Sequence, residues 1–220
     1  MPLTHLIYGG TFDPPHTAHR TCVLSARSKY PEAQILVVPG KSPAGVVGHH
    51  KSPGASHEQR LAMCRLAFAG ITGCVVSDIE AGLPTPNWTI NSLRALRKVH
   101  GPTAKFGLIV GEDQLAAFDR WREPLAILAE ASLVVCARNS SDSLKAQIEA
   151  LLGRLSRLKS DSNVSAVIEG SNEIEILASA VHPANSSDIR EAIGKGSPVP
   201  EGWLDPSVKE YMNQAKLYRH

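Results

Sequence analysis

The chain has 220 residues, of which 43% are hydrophobic and 20% charged, and its formal net charge is +2. Those values fit a soluble globular protein with one domain over residues 1–220 and exclude a disordered chain, a coiled coil and the densely basic surface that non-specific nucleic-acid binding requires. The longest apolar runs, Leu125–Ala129 and Leu133–Ala137, are far too short to span a bilayer, so neither nucleic acid nor a membrane is an expected partner.

Short β-rich runs alternate with helical patterns along the chain, which predicts an α/β fold with a parallel sheet flanked by helices. A first strand is expected over Thr4–Tyr8, ending at Gly9-Gly10, and a helix over Thr17–Lys29. Ile35–Val38 reads as a second strand, followed by a long loop from 40 to 56. Ser56 and Gln59 sit three apart as a capping-box start to a helix that Gly70 stops. Further on, strands are expected at Cys74–Ser77, Phe106–Val110 and Leu133–Ala137, with helices at Ile90–Val99, Leu125–Ala129 and Leu144–Leu158. Two short strands, Val164–Ile168 and Ile174–Leu177, precede helices at Ser187–Ile193 and Val208–Gln214. The cysteines Cys22, Cys64, Cys74 and Cys136 form no C-x-x-C pair. They read as small buried residues in a reducing cytoplasm, and the early Gly9-Gly10 predicts no signal peptide.

The strongest local signal is GGTFDPPHTAH, from Gly9 to His19, directly after the first strand and running into a helix. Glycine lets the backbone approach a ligand closely, and His16 and His19, three apart, share one side of the first helical turn. Free N–H groups at that turn favour anions, so the pair reads as a phosphate clamp. A zinc pair or two surface histidines are the alternatives, and zinc lacks further ligands at suitable spacing. Near the C-terminus, Ser186, Ser187 and Arg190 open a helix and offer hydroxyls, N–H groups and a planar cation; the plainer reading is a serine N-cap with arginine on a solvated face. Gly40-Lys41-Ser42 imitates the end of a P-loop, but isoleucine at position 35 rules that out.

The first segment resembles the T/H-x-G-H nucleotidyltransferase superfamily, whose usual form is G-G-T-F-D-P-x-H-x-G-H. Gly9 to Pro14, His16 and His19 match it, while Ala18 stands where the family usually has glycine. Ser186-Ser187-Asp188-Ile189-Arg190 resembles the superfamily's S-S-T-x-I-R signature, with Asp188 in place of threonine. Gly111-Glu112-Asp113 with Phe118, Trp121, Arg122 and Pro124 resembles a stretch of the nicotinate mononucleotide adenylyltransferases, and so does Asn87-Trp88-Thr89-Ile90 with Leu93-Arg94. The resemblance implies a Rossmann-like fold and a reaction in which ATP and nicotinate mononucleotide give deamido-NAD and pyrophosphate, a step of NAD biosynthesis. Mg²⁺ would accompany ATP.

In that reading His16, His19, Arg190 and a loop lysine supply charge to the phosphates, the candidates being Lys41 and the cluster His49, His50 and Lys51, with a solvated basic loop as the alternative. Gly9, Gly10, Thr11 and Phe12 present backbone to the nucleotide, together with Ser186, Ser187 and Ile189. Gly111 and Asp113 meet the ribose or the metal's water. Trp88, Thr89 and Trp121 hold the pyridine end, unless the two tryptophans are ordinary packing residues. No protein-held metal is expected, and self-association is left open. Nicotinamide mononucleotide, phosphopantetheine, a cytidylyl donor and a nucleotide binder with reduced catalysis are the rival readings.

Overall fold

The computed structural model describes residues 2–42, 53–137, 142–160, 174–179 and 182–219. Lys51, His49 and His50 of the long loop, and the expected strand at Val164–Ile168, lie outside the described residues.

Six strands form one parallel sheet in the order β3-β2-β1-β4-β5-β6. They are β1 (His5–Gly10), β2 (Gln34–Pro39), β3 (Cys74–Val76), β4 (Phe106–Gly111), β5 (Ala131–Ala137) and β6 (Ile174–Ala178). Parallel neighbours need crossovers, and helices supply them: α1 (Thr17–Lys29), α2 (His57–Ala67), α3 (Thr89–His100), α4 (Glu112–Leu115), α5 (Pro124–Glu130) and α6 (Asp142–Ser160). Two more, α7 (Ser186–Gly194) and α8 (Pro206–Gln214), follow β6.

Helices cover both faces of the sheet, so strand residues are apolar at consecutive positions yet divide by parity. Leu6, Ile35, Val37, Ile109 and Val134 pack in one core with α1, α2, α7 and α8. Ile7, Leu36, Val38, Leu108 and Val135 pack in the other with α3, α5 and α6. Among the described residues no helix is long and apolar enough to cross a membrane.

Three local differences from the sequence reading bear on the site. Gly9 and Gly10 do not end β1 but belong to it, paired with Val38 and Pro39 of β2. Unpredicted turns intervene at Ile79–Gly82, at α4 and at Phe118–Arg120, all too short to leave a periodic signal. Lastly, α7 is capped by Asn185, whose Oδ1 accepts the Asp188 N–H at 2.9 Å, which frees both serines. The capping box of α2 is present as expected, Gln59 N–H to Ser56 Oγ at 3.2 Å and Ser56 N–H to Gln59 Oε1 at 2.8 Å.

Candidate active site

The chain leaves β1 toward β2 on one side, and β4 pairs with β1 on the other. Crossovers running in opposite directions open a crevice at the carboxyl ends of these strands. A cavity of about 650 Å³ lies there, floored by Gly9, Gly10, Val38, Val110 and Gly111. The strand ends bring together residues about 175 positions apart, as the Gly9–His19 and Ser186–Arg190 segments both line it.

The first wall is the turn from Gly10 into α1. A Cβ on Gly10 would lie 2.9 Å from the Phe12 ring, so only glycine fits, whereas one on Gly9 would meet nothing within 4 Å. Phe12 holds left-handed backbone (φ 50°), and its ring is buried edge-on against Tyr8 and His19. Phe12 thus serves the turn as a core anchor and leaves the main chain to face the cavity. His16 caps α1 and His19 sits one turn on, their rings stacked with centroids 3.7 Å apart. The His16 N–H donates to His19 Nδ1 at 3.2 Å, which leaves a neutral His19 with its proton on Nε2. His16 Nδ1 is buried with no protein partner.

Burial, reinforced by His182, pushes His16 down to about 4. Burial and then His16 hold His19 well below the usual histidine range. The free site therefore presents neutral imidazoles at pH 7, and the positive charge expected of this pair has to be induced by a bound anion. His19 lines the cavity and His16 lies behind it.

The second wall is the start of α7. Ser186 Oγ donates to the Pro14 carbonyl at 2.9 Å, and Arg190 Nη1 to the Asp13 carbonyl at 2.7 Å, so helix and turn are fastened together. Ser186, Ser187 and Arg190 line the cavity. Ile189 is fully buried in the core beneath, and its side chain is not part of the lining. Asp188 accepts from Asn185 Nδ2 at 2.7 Å and is exposed, so its carboxylate belongs to the cap and is not in the lining. Ala18 is likewise absent from the lining, and its methyl takes no cavity space.

On the side of the other core stand Trp88, Thr89 and Trp121, all half-buried and all in the lining, which Asp113 and Gln114 share. Trp88 occupies the N-cap of α3 without a side-chain cap bond, and Thr89, the first residue of the helix, lines the cavity beside it. A Cβ on Gly111 would sit 2.6 Å from Asp113 Oδ1, so a side chain there would displace the Asp113 carboxylate. Among the described residues, no three histidine, cysteine or carboxylate side chains are grouped to hold a metal ion.

Four contributors had no role expected from the sequence. Asp13, within the matched motif but without an expected role, is 3% exposed and accepts N–H bonds from Gly54 (2.7 Å) and Ala55 (3.0 Å). Arg60 is 1% exposed; it donates to the carbonyls of Thr11 (2.7 Å), Ala55 (3.2 Å) and Lys41 (3.4 Å), joining both ends of the long loop to the motif turn. Glu80 accepts from Lys41 N–H (3.0 Å) and Ser92 Oγ (2.5 Å), and burial raises its carboxyl above the usual range despite those donors. Asn87 exchanges main-chain and side-chain bonds with Ser42. Lys41 itself rests its ammonium on the Ala81 carbonyl at 2.7 Å, outside the lining. Alternation of apolar residues cannot reveal such positions, because a buried charged residue looks like a surface one in sequence.

A family model described as cytidylyltransferase-like matches residues 7–192. A protein of Sodalis glossinidius (strain morsitans), named "Probable nicotinate-nucleotide adenylyltransferase", is 32% identical over 96% of this chain and 95% of its own. One of the same name from Chlorobium luteolum is 33% identical over 97% of both chains. The fold is also that of the Plasmodium falciparum nicotinic acid mononucleotide adenylyltransferase complexed with NaAD, with a TM-score of 0.70 over 98% of this chain and 97% of that one at 18% identity.

Proposed function

The chain belongs to the cytidylyltransferase-like family and, within it, to the nicotinate-nucleotide adenylyltransferases, and on that premise we propose how its cavity joins ATP to nicotinate mononucleotide. The observation that carries the reading is the cavity's polarity: phosphate-binding groups line one wall, from Gly9 to His19 and Ser186 to Arg190, and two tryptophans stand at the other end.

The acceptor's 5′-phosphate is an anion at neutral pH and needs no general base. One of its oxygens forms a bond to the α-phosphorus of ATP while the bond from that phosphorus to the β-bridging oxygen breaks, and the electron pair leaves on pyrophosphate. Catalysis then rests on alignment and on stabilising the leaving charge. Backbone at Gly9, Gly10 and Thr11 brings the nucleotide close. His19, His16, Ser187 and Arg190 donate to its phosphates, and Ser186, whose hydroxyl is bound to Pro14, donates through its main-chain N–H. Both imidazoles start neutral and enter as N–H donors, taking up a proton where phosphate stabilises it. Gly111 and Asp113 face the ribose. Lys41, and Lys51 outside the described residues, are the loop cations within sequence reach of the triphosphate.

Asp113, an exposed carboxylate of the lining, would hold the water shell of a magnesium ion accompanying ATP, and the ion would supply neutralising charge to the phosphates. At the far end Trp88 and Trp121 offer aromatic faces for the electron-poor pyridine ring. The open N-terminus of α3 at Thr89 favours a carboxylate over a neutral amide there. Glu80 is the carboxylate in that wall, and its raised pKa lessens repulsion of the acid.

The test is pyrophosphate release from ATP offered with nicotinate mononucleotide, nicotinamide mononucleotide or phosphopantetheine, with CTP in place of ATP as a fourth arm. Release with nicotinate mononucleotide and ATP is expected to be fastest. Fastest release with phosphopantetheine or with CTP would overturn the acceptor or the donor assignment respectively.

A further inference from the structure

After α8 the chain places two non-glycine residues in left-handed backbone, Lys216 at φ 52° and Tyr218 at φ 61°. For a bulky aromatic residue that conformation is disfavoured and persists only where surrounding contacts fix it. Here they do. Leu217 is buried in the core, and the Tyr218 hydroxyl donates to Asp13 Oδ1 at 2.8 Å across 205 positions of sequence. The ring lies over Gly54, where a Cβ would come within 3.1 Å of it. Strained backbone thus delivers one hydroxyl to one carboxylate in the phosphate wall.

What the hydroxyl does there follows from the other neighbours of Asp13. The carboxylate already accepts the Gly54 and Ala55 N–H groups, and Tyr218 is its third donor. Arg190 Nη1 donates to the Asp13 main-chain carbonyl at 2.7 Å and stays 3.8 Å from Asp13 Oδ2. Carboxylate and guanidinium are complementary forks, and a carboxylate short of donors pulls such a cation into a two-bond pair. Arg190 engaged in that pair could not serve phosphate.

We propose that Tyr218 is a positioning residue for nucleotidyl transfer: its hydroxyl occupies Asp13, so that Arg190 stays aimed into the cavity and does not fold onto that carboxylate. The assignment rests on reading this wall as the triphosphate site, and it deepens that reading by naming what holds its arginine.

Tyr218→Phe keeps the ring over Gly54 and removes the hydroxyl alone. ATP affinity should fall roughly tenfold, about the worth of one hydrogen bond to a charged group. KM for nicotinate mononucleotide should stay within about twofold, since that end of the cavity is untouched. Calorimetric titration with Mg-ATP and no acceptor reads the first quantity directly. A wild-type protein that binds ATP yet releases no pyrophosphate with nicotinate mononucleotide would overturn the acceptor assignment and leave this test standing.

The decisive arm is a double-mutant cycle. In an Arg190→Ala background, Tyr218→Phe should cost ATP affinity no more than about twofold further, because it acts through Arg190. Losses that multiply would make Tyr218 a plain structural clamp, as would unchanged ATP affinity with a lowered Tm. Should Tyr218→Phe be too unstable to titrate, Tyr218→His retains a ring and an N–H donor. ATP affinity within about threefold of wild type then supports the assignment, and a larger loss overturns it.

Discussion

Two histidine pairs in close ring contact sit at opposite ends of the same strand. At the carboxyl end of β1, His16 and His19 lie with centroids 3.7 Å apart; at its amino end, His5 and His100 lie 4.3 Å apart. The ring contact is similar and the surroundings are opposite. His16 and His19 open helix α1, where N–H groups and dipole disfavour a proton and welcome an anion. His100 closes helix α3, beside Arg97 and Lys98 in the same last turn. The amino-end pair is packed edge-on against Phe106, with the Arg97 guanidinium 4.2 Å from that ring and tied to Glu130 at 3.1 Å. The glycine beside it, Gly101, only ends α3 (φ 83°), and neither His5 nor His100 is in the lining of the cavity. Two imidazoles make a phosphate site only when backbone donors, a close-approach glycine and open space converge on them.

That contrast predicts its largest effect at the carboxyl end. Replacing His19 or His16 with alanine should lower turnover by roughly two to four orders of magnitude, the loss seen when preorganised donors to a developing charge are removed. Thermal unfolding should change little. Near wild-type turnover with a lowered Tm in both variants would make this pair as structural as the other one.

The next effect is on stability. With His16 held at about 4, the folded state resists protonation that the unfolded chain accepts near 6.5. The unfolded state therefore binds more protons in that window, so stability is full above pH 6.5 and is lost as pH falls toward 4. For so buried a ring the loss is on the order of 3 kcal/mol. His16→Gln removes the titration, and its stability between pH 7 and 4 should fall by correspondingly less in denaturant unfolding. Parallel curves for the two proteins would mean that His16 is protonated without cost in the folded state. Bound ATP should flatten the wild-type curve, since phosphate raises the pKa of the imidazoles.

How much of this was legible in sequence divides along physical lines. Strands such as Phe106–Gly111 and Ala131–Ala137 announce themselves because both faces of a parallel sheet are buried. The Gly9–His19 and Ser186–Arg190 segments are legible because a close approach to phosphate demands particular residues at fixed spacing. Trp88 and Trp121 do line the cavity, in the two stretches whose resemblance pointed to them. Tyr218, Arg60 and Glu80 were not legible. Each works by meeting a polar partner brought from elsewhere by the fold, and no local pattern records a partner 205 positions away. Helix periodicity turns the Ile189 side chain into the core, which leaves its main chain for the role that its motif implies. The serine cap gave way to Asn185 for a similar reason: Ser186 is already engaged with Pro14.

At the pyridine end the expected effect is smaller. Nicotinate should be preferred over nicotinamide mononucleotide by roughly tenfold in kcat/KM, since a charge-assisted hydrogen bond exceeds a neutral one by about 1 kcal/mol or more. The open N-terminus of α3 is the source of those donors, and Trp121 of the stacking face. Trp121→Ala should weaken both acceptors while leaving ATP affinity unchanged. Equal kcat/KM for the two mononucleotides, or no effect of Trp121→Ala on either, would remove the specificity claim and leave the family standing. Glu80→Gln sharpens the arm: it takes the carboxylate out of that wall, so the preference for nicotinate should hold or rise.

The smallest effect belongs to the amino-end pair, and it is the control on which the comparison depends. His5→Ala removes the ring stacked on His100 and edge-on to Phe106, and with it the Thr4 Oγ1 contact at 2.9 Å. Aromatic pairs of this kind are worth about 0.5–1.5 kcal/mol, and the half-buried position allows some relaxation, so the expected cost is about 1 kcal/mol of stability. Burial, then His100 and Arg97, lower the pKa of His5, so its own contribution is full above the unfolded value near 6.5 and fades as pH falls below it. Turnover and both KM values should stay within about twofold of wild type, because β1 transmits nothing but its backbone to the far end. The measurement is the denaturant midpoint at unchanged slope, paired with pyrophosphate release at saturating substrates. A tenfold or greater loss of turnover in His5→Ala would mean that the sheet couples its two ends and that the amino-end pair is part of the working site after all.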